Sequence, residues 1–235
     1  MATSYNPKVV TSGLVTYLDA ANRDSYSGSG SSWGDLVGNN TGTLYGSPTF
    51  GTENNGVLSF NGTTNYLEKS SPSGISGNVA ATLSCWVYPT YSSANFVQCV
   101  VVYGNGASAG DTIALNLNTS TFNLAVAFNG GNDVSSGNNV YVPNTAWYNF
   151  AITKSPGASN TTTRLYVNGV QTPISTATTI TPNVVSTTFR VGRWINNAVT
   201  QYFSGKIGGV SIYNRALSSE EISQNFNTLR GRYGI

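Results

Sequence analysis

The stretch Phe203-Ser-Gly-Lys-Ile-Gly-Gly-Val-Ser-Ile-Tyr-Asn-Arg-Ala-Leu-Ser-Ser-Glu-Glu-Ile-Ser-Gln-Asn-Phe226 decides the fold. Its first half alternates as a β-strand does, but Phe203 and Ile207 fall on odd positions while Val210 and Ile212 fall on even ones. Gly208-Gly209 sits where the parity changes, so a β-bulge is predicted there. Ser218 followed three residues later by Glu221 forms a capping box: the serine oxygen accepts a free backbone N–H, and the glutamate accepts that of the cap residue. Ile222, Phe226 and Leu229 then recur at helical spacing, giving one apolar stripe that must dock on the rest of the protein. A closing strand thus runs through a turn into one short C-terminal helix.

Upstream the chain reads as strands and turns. Leu14 to Leu18 opens the sheet, and residues 19–41 form a long Ser/Gly/Asn loop with Trp33 and Leu36 as expected anchors. Short strands follow near 42–46, 57–60 and 65–68, and Ala81 to Pro89 and Phe96 to Tyr103 are apolar enough for central strands. Thr112 to Leu117 and Phe122 to Phe128 alternate, which predicts sheets wet on one face. Trp147 to Lys154 places Tyr148, Phe150 and Ile152 on one side. Asn168-Gly169 accepts the positive φ angles of a type I′ hairpin turn between Leu165 and Val170. Phe189 to Arg193 is a further strand. Turn signals about every ten residues point to an all-β protein, a sandwich of two antiparallel sheets with one short C-terminal helix. Residues 1–12 read as an N-terminal extended arm and 13–235 as one domain, long enough to bury roughly 70% of its unfolded surface.

Charged residues make up 9% of the 235-residue chain and the net charge is +2, against about 25% charged in a typical soluble domain. A polar, uncharged surface suits neutral sugars or packed neighbours and not a phosphate backbone, which demands clustered cations. Arg215, Arg230 and Arg232 surround the final helix, where cations match its dipole. No run approaches the ~20 apolar residues of a membrane helix. The N-terminus lacks the apolar core of a secretory signal, so synthesis in a cytoplasm is expected. Cys85 and Cys99 share strand parity with apolar neighbours and are expected to face inward, as reduced thiols or as a cross-strand disulfide. Two thiols and no histidine make a metal site a poor expectation.

The same inventory bears on catalysis. Without histidine no Ser-His-Asp arrangement exists. Glycoside hydrolysis needs two carboxylates opposed across ~5–10 Å, yet no strand carries an acidic i, i+2 or i, i+4 series. The expectation is therefore a protein without enzymatic activity. Trp194 follows a strand, and its ring would stack on a sugar while Asn196, Asn197 and Gln201 bond hydroxyls; the other reading is that Trp194 plugs the end of the core. Tyr91, Tyr103 and Tyr141 are weaker candidates for sugar or protein contact. Asp19, Asp24 and Asp35 near the first loop are weak candidates for calcium, which takes six or more oxygens; Asp also bonds its own backbone at turns. Asp111 and Asp133 lie in similar loops. No cofactor is expected beyond that calcium.

The segment Ile212 to Ile222, Ile-Tyr-Asn-Arg-Ala-Leu-Ser-Ser-Glu-Glu-Ile, resembles the closing strand and helix of the concanavalin A-like jelly rolls of the laminin-G-like kind. Gly13 to Ala20, Ser25 to Leu36, Leu58 to Tyr66, Leu83 to Val87, Leu165 to Val170 and Arg190 to Arg193 resemble further family segments in the expected order. The resemblance implies a two-sheet jelly-roll sandwich with a concave face and loops at one edge. It is similar to domains of bacteriophage virion proteins, which implies a capsid decoration or a tail or fibre component on the virion surface, partnered by other virion proteins. The alternative is a carbohydrate-binding module for host attachment, partnered by neutral glycans. Neither nucleic acid nor membrane is an expected partner. Many relatives carry Asp-Glu in the last strand, where acidic residues help hold calcium; this chain has Gly208-Gly209 instead.

Overall fold

Strand follows strand from Leu14 to Tyr213 in the computed structural model, which describes residues 8–93, 95–128, 134–196 and 201–235. In chain order the strands are β1 (Leu14–Asp19), β2 (Ser32–Trp33), β3 (Gly42–Tyr45), β4 (Thr49–Gly51), β5 (Val57–Asn61), β6 (Tyr66–Ser70), β7 (Ala81–Pro89), β8 (Val97–Gly104), β9 (Thr112–Asn118), β10 (Asn123–Ala127), β11 (Val134–Ser136), β12 (Tyr148–Lys154), β13 (Thr163–Val167), β14 (Val170–Thr172), β15 (Ile174–Ala177), β16 (Thr188–Val191) and β17 (Ser204–Tyr213). The helices are α1 (Ser159–Thr162) and α2 (Ser219–Leu229).

The first sheet runs β14-β13-β12-β7-β17-β5-β4, with β1 also pairing β17. The second runs β15-β11-β10-β9-β8-β16-β6-β3-β2. Antiparallel pairing holds across both. Leu83, Cys85, Val87, Phe150, Ile152, Ile207, Val210 and Ile212 of the first sheet meet Leu67, Val101, Tyr103, Leu115, Leu124, Val126, Phe189 and Val191 of the second in one buried core. Phe128, Val134 and Trp33 close it.

The predicted bulge forms. Ile207 pairs with Val87 and Gly209 with Trp86, leaving Gly208 as the extra residue. Glycine is required there because a Cβ would run into the hydroxyl of Tyr233. The hairpin turn also forms, with positive φ at Asn168 (51°) and Gly169 (78°). Ser218 Oγ accepts from Glu221 N at 3.3 Å, and Glu221 Oε2 accepts from Ser218 N at 2.9 Å, completing the capping box. The side chain of Glu221 also holds Arg215 at 2.6 and 2.7 Å, a bidentate fork.

Helix α2 lies on the outer face of the first sheet. Ile222 packs with Ala151, Tyr166, Tyr213 and Leu217. Phe226 and Leu229 pack with Val57, Trp86, Trp147 and Tyr233. Trp86 is the centre of this layer, stacked on Tyr233 (4.3 Å) and on Phe226 (5.7 Å). Residues 8–12 of the expected arm lie along the same helix: Val10 N donates to Asn225 Oδ1 at 2.8 Å, and Gln224 Nε2 to the Lys8 carbonyl at 2.7 Å.

Several expectations need correction. Strands β9 and β10 are not wet on one face: Ala114, Asn116, Ala125 and Ala127 are buried as fully as their core-facing neighbours. Cys85 faces the core, but Cys99 faces the opposite side of the second sheet, beside Val102 and Trp194. A register shift between Cys99 and Val101 reverses the parity that the sequence implied. Both thiols are free and buried, and burial pushes both above the ordinary cysteine range. Helix α1 was not anticipated; its four residues carry no apolar stripe. Of the cations near α2, Arg230 stands at its C-cap, whereas Arg215 and Arg232 are held by carboxylates. Arg232 pairs with Asp19 at 2.8 Å and donates to the Asn54 and Gly56 carbonyls.

Candidate functional site

Outward parity on the second sheet brings together side chains that are far apart in sequence. Tyr45 of β3 stands directly opposite Tyr66 of β6, and their rings stack at 4.8 Å with planes 12° apart. One strand further, Glu68 stands opposite Arg190 of β16. Arg190 is buried, and its Nε donates to Glu68 Oε2 at 2.6 Å. Its Nη1 donates to the carbonyls of Trp194 and Ile195, both at 2.8 Å. The salt bridge thus ties down the chain that leaves β16.

That chain turns back on itself. Gly192 (φ +86°) lets it leave the strand, at a place where a Cβ would press on the Phe60 ring. Arg193 and Tyr202 then bridge across the base of the excursion, and Trp194 N donates to the Gln201 carbonyl at 3.2 Å. The guanidinium of Arg193 lies 5.0 Å from the ring centres of both Tyr66 and Tyr202. The two rings meet edge to face at 6.3 Å. The result is a surface cluster of Tyr45, Tyr66, Tyr202 and Arg193, with Tyr45 43% exposed and the other three partly exposed. Aromatic faces beside hydroxyl and guanidinium donors are what a sugar ring with equatorial hydroxyls needs.

The residues that the sequence singled out lie around this cluster rather than in it. Trp194 is 6% exposed and packs on Cys99, Val102, Ala114 and Ala127, with Ile195 beside it. Its ring therefore covers the outer face of the second sheet; the end-of-core reading places it on the wrong layer. Asn196 is exposed, and Gln201 is partly exposed, its carbonyl accepting from Trp194 N and Cys99 N. Asn197 lies outside the described residues. Tyr103 and Tyr141 are buried and donate to the Ser73 and Asn118 carbonyls, so neither presents a face; Tyr91 does. The sequence reading missed Tyr45, Tyr66, Tyr202 and Arg193. The outward parity of Tyr45 and Tyr66, next to core-facing Leu44 and Leu67, was the available signal.

The carboxylates of Asp19, Asp35 and Asp111 hold backbone N–H groups. Asp35 Oδ1 accepts from Tyr17 N at 2.8 Å and its Oδ2 from Asn40 N at 3.1 Å. Asp19 accepts from Ala21 N and Arg232. Asp24 is exposed, and its N–H bonds the Asn22 side chain. Asp111 accepts from the N–H groups of Gly106, Ala107 and Ser108. Asp133 lies outside the described residues. Among the described residues no three His, Cys, Asp or Glu side chains gather as a metal site would require.

Glu53 pairs with Lys206 at 2.7 Å and Glu221 with Arg215 at 2.6 Å, and these partners hold both carboxyls below the usual range. Glu68 pairs with Arg190 at 2.6 Å and Asp19 with Arg232 at 2.8 Å.

The sialidase of Trypanosoma rangeli, solved as a covalent intermediate with 2,3-difluorosialic acid, is similar in fold (TM-score 0.64, 18% identity, 93% of this chain and 33% of the sialidase). Botulinum neurotoxin type C, whose cell entry depends on two ganglioside molecules, is similar over 92% of this chain and 51% of its own (TM-score 0.65, 12% identity). Domain 4 of an extracellular arabinanase from Geobacillus stearothermophilus, in complex with arabinotriose, is similar over 90% of this chain and 97% of that domain (TM-score 0.61, 18% identity). The chain spans about a third of the sialidase's length. No curated protein matches it in sequence. Residues 61–223 match the laminin-G-like family described as the concanavalin A-like lectin/glucanases superfamily, and the chain belongs to that family.

Proposed function

We propose that the chain is a non-catalytic carbohydrate-binding module whose contact surface is the Tyr45–Tyr66–Tyr202–Arg193 cluster. The observation that carries this reading is the stacked, partly exposed tyrosine pair on an outer sheet face, beside a third, edge-on tyrosine. Such a pair offers apolar ring area at low side-chain entropy cost, with hydroxyls at its rim. The low charge of the chain agrees with a sugar partner, and the arabinotriose held by the arabinanase domain supports the same use of the fold. The non-catalytic part of the proposal is supported by the pairing of Asp19, Glu53, Glu68 and Glu221 with arginine or lysine. Binding to a panel of immobilised glycans tests the reading. Tyr45→Ala and Tyr66→Ala should each weaken the best hit about tenfold. A panel without hits, or hits indifferent to both substitutions, would sink it, and turnover of any polysaccharide would sink the non-catalytic part.

A second reading is display on a virus particle through protein contacts, without calcium or other cofactor. It is favoured by the exposed Tyr91 (52%) and Phe96 (63%) on one loop, side chains suited to a packed neighbour. Locating the protein in its native setting decides it: protein found free of particles would end this reading.

A further inference from the structure

The cluster has an unbalanced charge at its centre. Arg190, Arg215, Arg232 and Lys206 each face a carboxylate within 2.8 Å. Arg193 faces none among the described residues, although two tyrosine rings hold it and its Nε is buried without an acceptor. Two cation–π contacts fix the guanidinium in place and offset part of its desolvation. They supply no hydrogen-bond acceptor for its fork of donors. Glu68, two residues along β6 from Tyr66, is already engaged by Arg190.

We infer that Arg193 is a specificity-determining residue for a carboxylate-bearing sugar, an inference that rests on the carbohydrate reading above. The planar fork of a guanidinium matches the two oxygens of a carboxylate, and charge-assisted bonds of this kind are roughly twice as strong as neutral ones. The ring of the same sugar lies against Tyr45 and Tyr66. Since Arg190 and Glu68 cancel, the surface cluster carries one net positive charge and takes one acidic group.

Isothermal titration of the full chain with polygalacturonate and with its fully methyl-esterified form tests this. The acid form should bind about tenfold more tightly, the ratio that ~1.4 kcal/mol represents. The preference should shrink as salt rises, because a partly exposed pair is screened. Arg193→Met should erase the preference, bringing the acid and ester forms to equal affinity. Arg193→Lys, which keeps the charge and loses the fork, should retain only part of it; it also guards against a Met variant that fails to fold. Dextran sulfate against dextran forms the other arm. An equal gain there would show that charge alone is read and would overturn the carboxylate assignment. Equal binding of acid and ester, or a preference that survives Arg193→Met, would overturn the inference while leaving the carbohydrate reading intact. Binding to none of these polymers and to no glycan of the panel would instead mean that the carbohydrate reading itself had failed.

Discussion

The two outer faces of the sandwich carry similar aromatic side chains and treat them in opposite ways. On the first sheet, Trp86 and the neighbouring Trp147 are buried under the chain's own C-terminal segment, with Phe226 of α2 and Tyr233 beyond it stacked on Trp86. On the second, Tyr66 stacks on Tyr45 and meets Tyr202 edge to face, and all three stay at least partly exposed. The helix stripe of Ile222, Phe226 and Leu229 could not face water, and it found the first sheet; nothing among the described residues covers the tyrosine cluster in the same way. Aromatic rings under a helix are structural, whereas rings left at a surface with a fixed cation are available to a ligand.

This contrast can be broken in several ways, of which alkaline pH should have the largest effect. Burial pushes Tyr17 up to about 12, with the Asp19 charge adding to it, and burial also raises Tyr103, Tyr141, Tyr213 and Tyr233. The unfolded chain loses these protons from about pH 10 while the folded chain keeps them. Stability present below pH 10 should therefore fall as pH rises through 12. Lys154 works the other way: burial lowers it, so its contribution grows with pH up to its unfolded value, but it is one amine against several raised phenols. Denaturant midpoints at stepped pH check this; a flat profile up to pH 12 would contradict the buried tyrosines.

Next in size is Trp86→Ala, which removes the ring between Tyr233 and Phe226 and should cost ~3–5 kcal/mol in chemical denaturation. Trp194→Ala should cost ~3 kcal/mol for the same reason, since this ring is packed on Cys99, Val102 and Ala114. Glycan binding that vanishes on a fully folded Trp194→Ala would place the sugar on the tryptophan and not on the tyrosines. Ser218→Ala, which removes half of the capping box, should cost ~1 kcal/mol. Tyr45→Ala should shift stability by less than ~0.5 kcal/mol. A loss as large as that of Trp86 would mean that the two faces do not differ as described.

Much of the fold was legible because its signals are local. The bulge at Gly208, the Asn168-Gly169 turn and the Ser218 cap each depend on a few consecutive residues, and each formed where the sequence placed it. Cys99 was misplaced because a bulge without glycine, as at Val100, leaves no mark in composition and still reverses every face beyond it. The wet faces assigned to β9 and β10 failed because alternation reveals which side chains are polar, not what packs over them. Ala114 and Ala127 are small enough for Trp194 and Ile195 to close over them.

The sequence by itself determined an all-β sandwich with one capped helix, poor in charge and lacking the histidine and carboxylate series of the hydrolytic sites considered. Tertiary structure alone decided where the surface chemistry gathers. Tyr45, Tyr66, Arg193 and Tyr202 come from separate segments, and only the antiparallel register of β3, β6 and β16, with the bridge after it, makes them neighbours. Register is a long-range property, fixed by burial of the opposite face, and no local pattern encodes it.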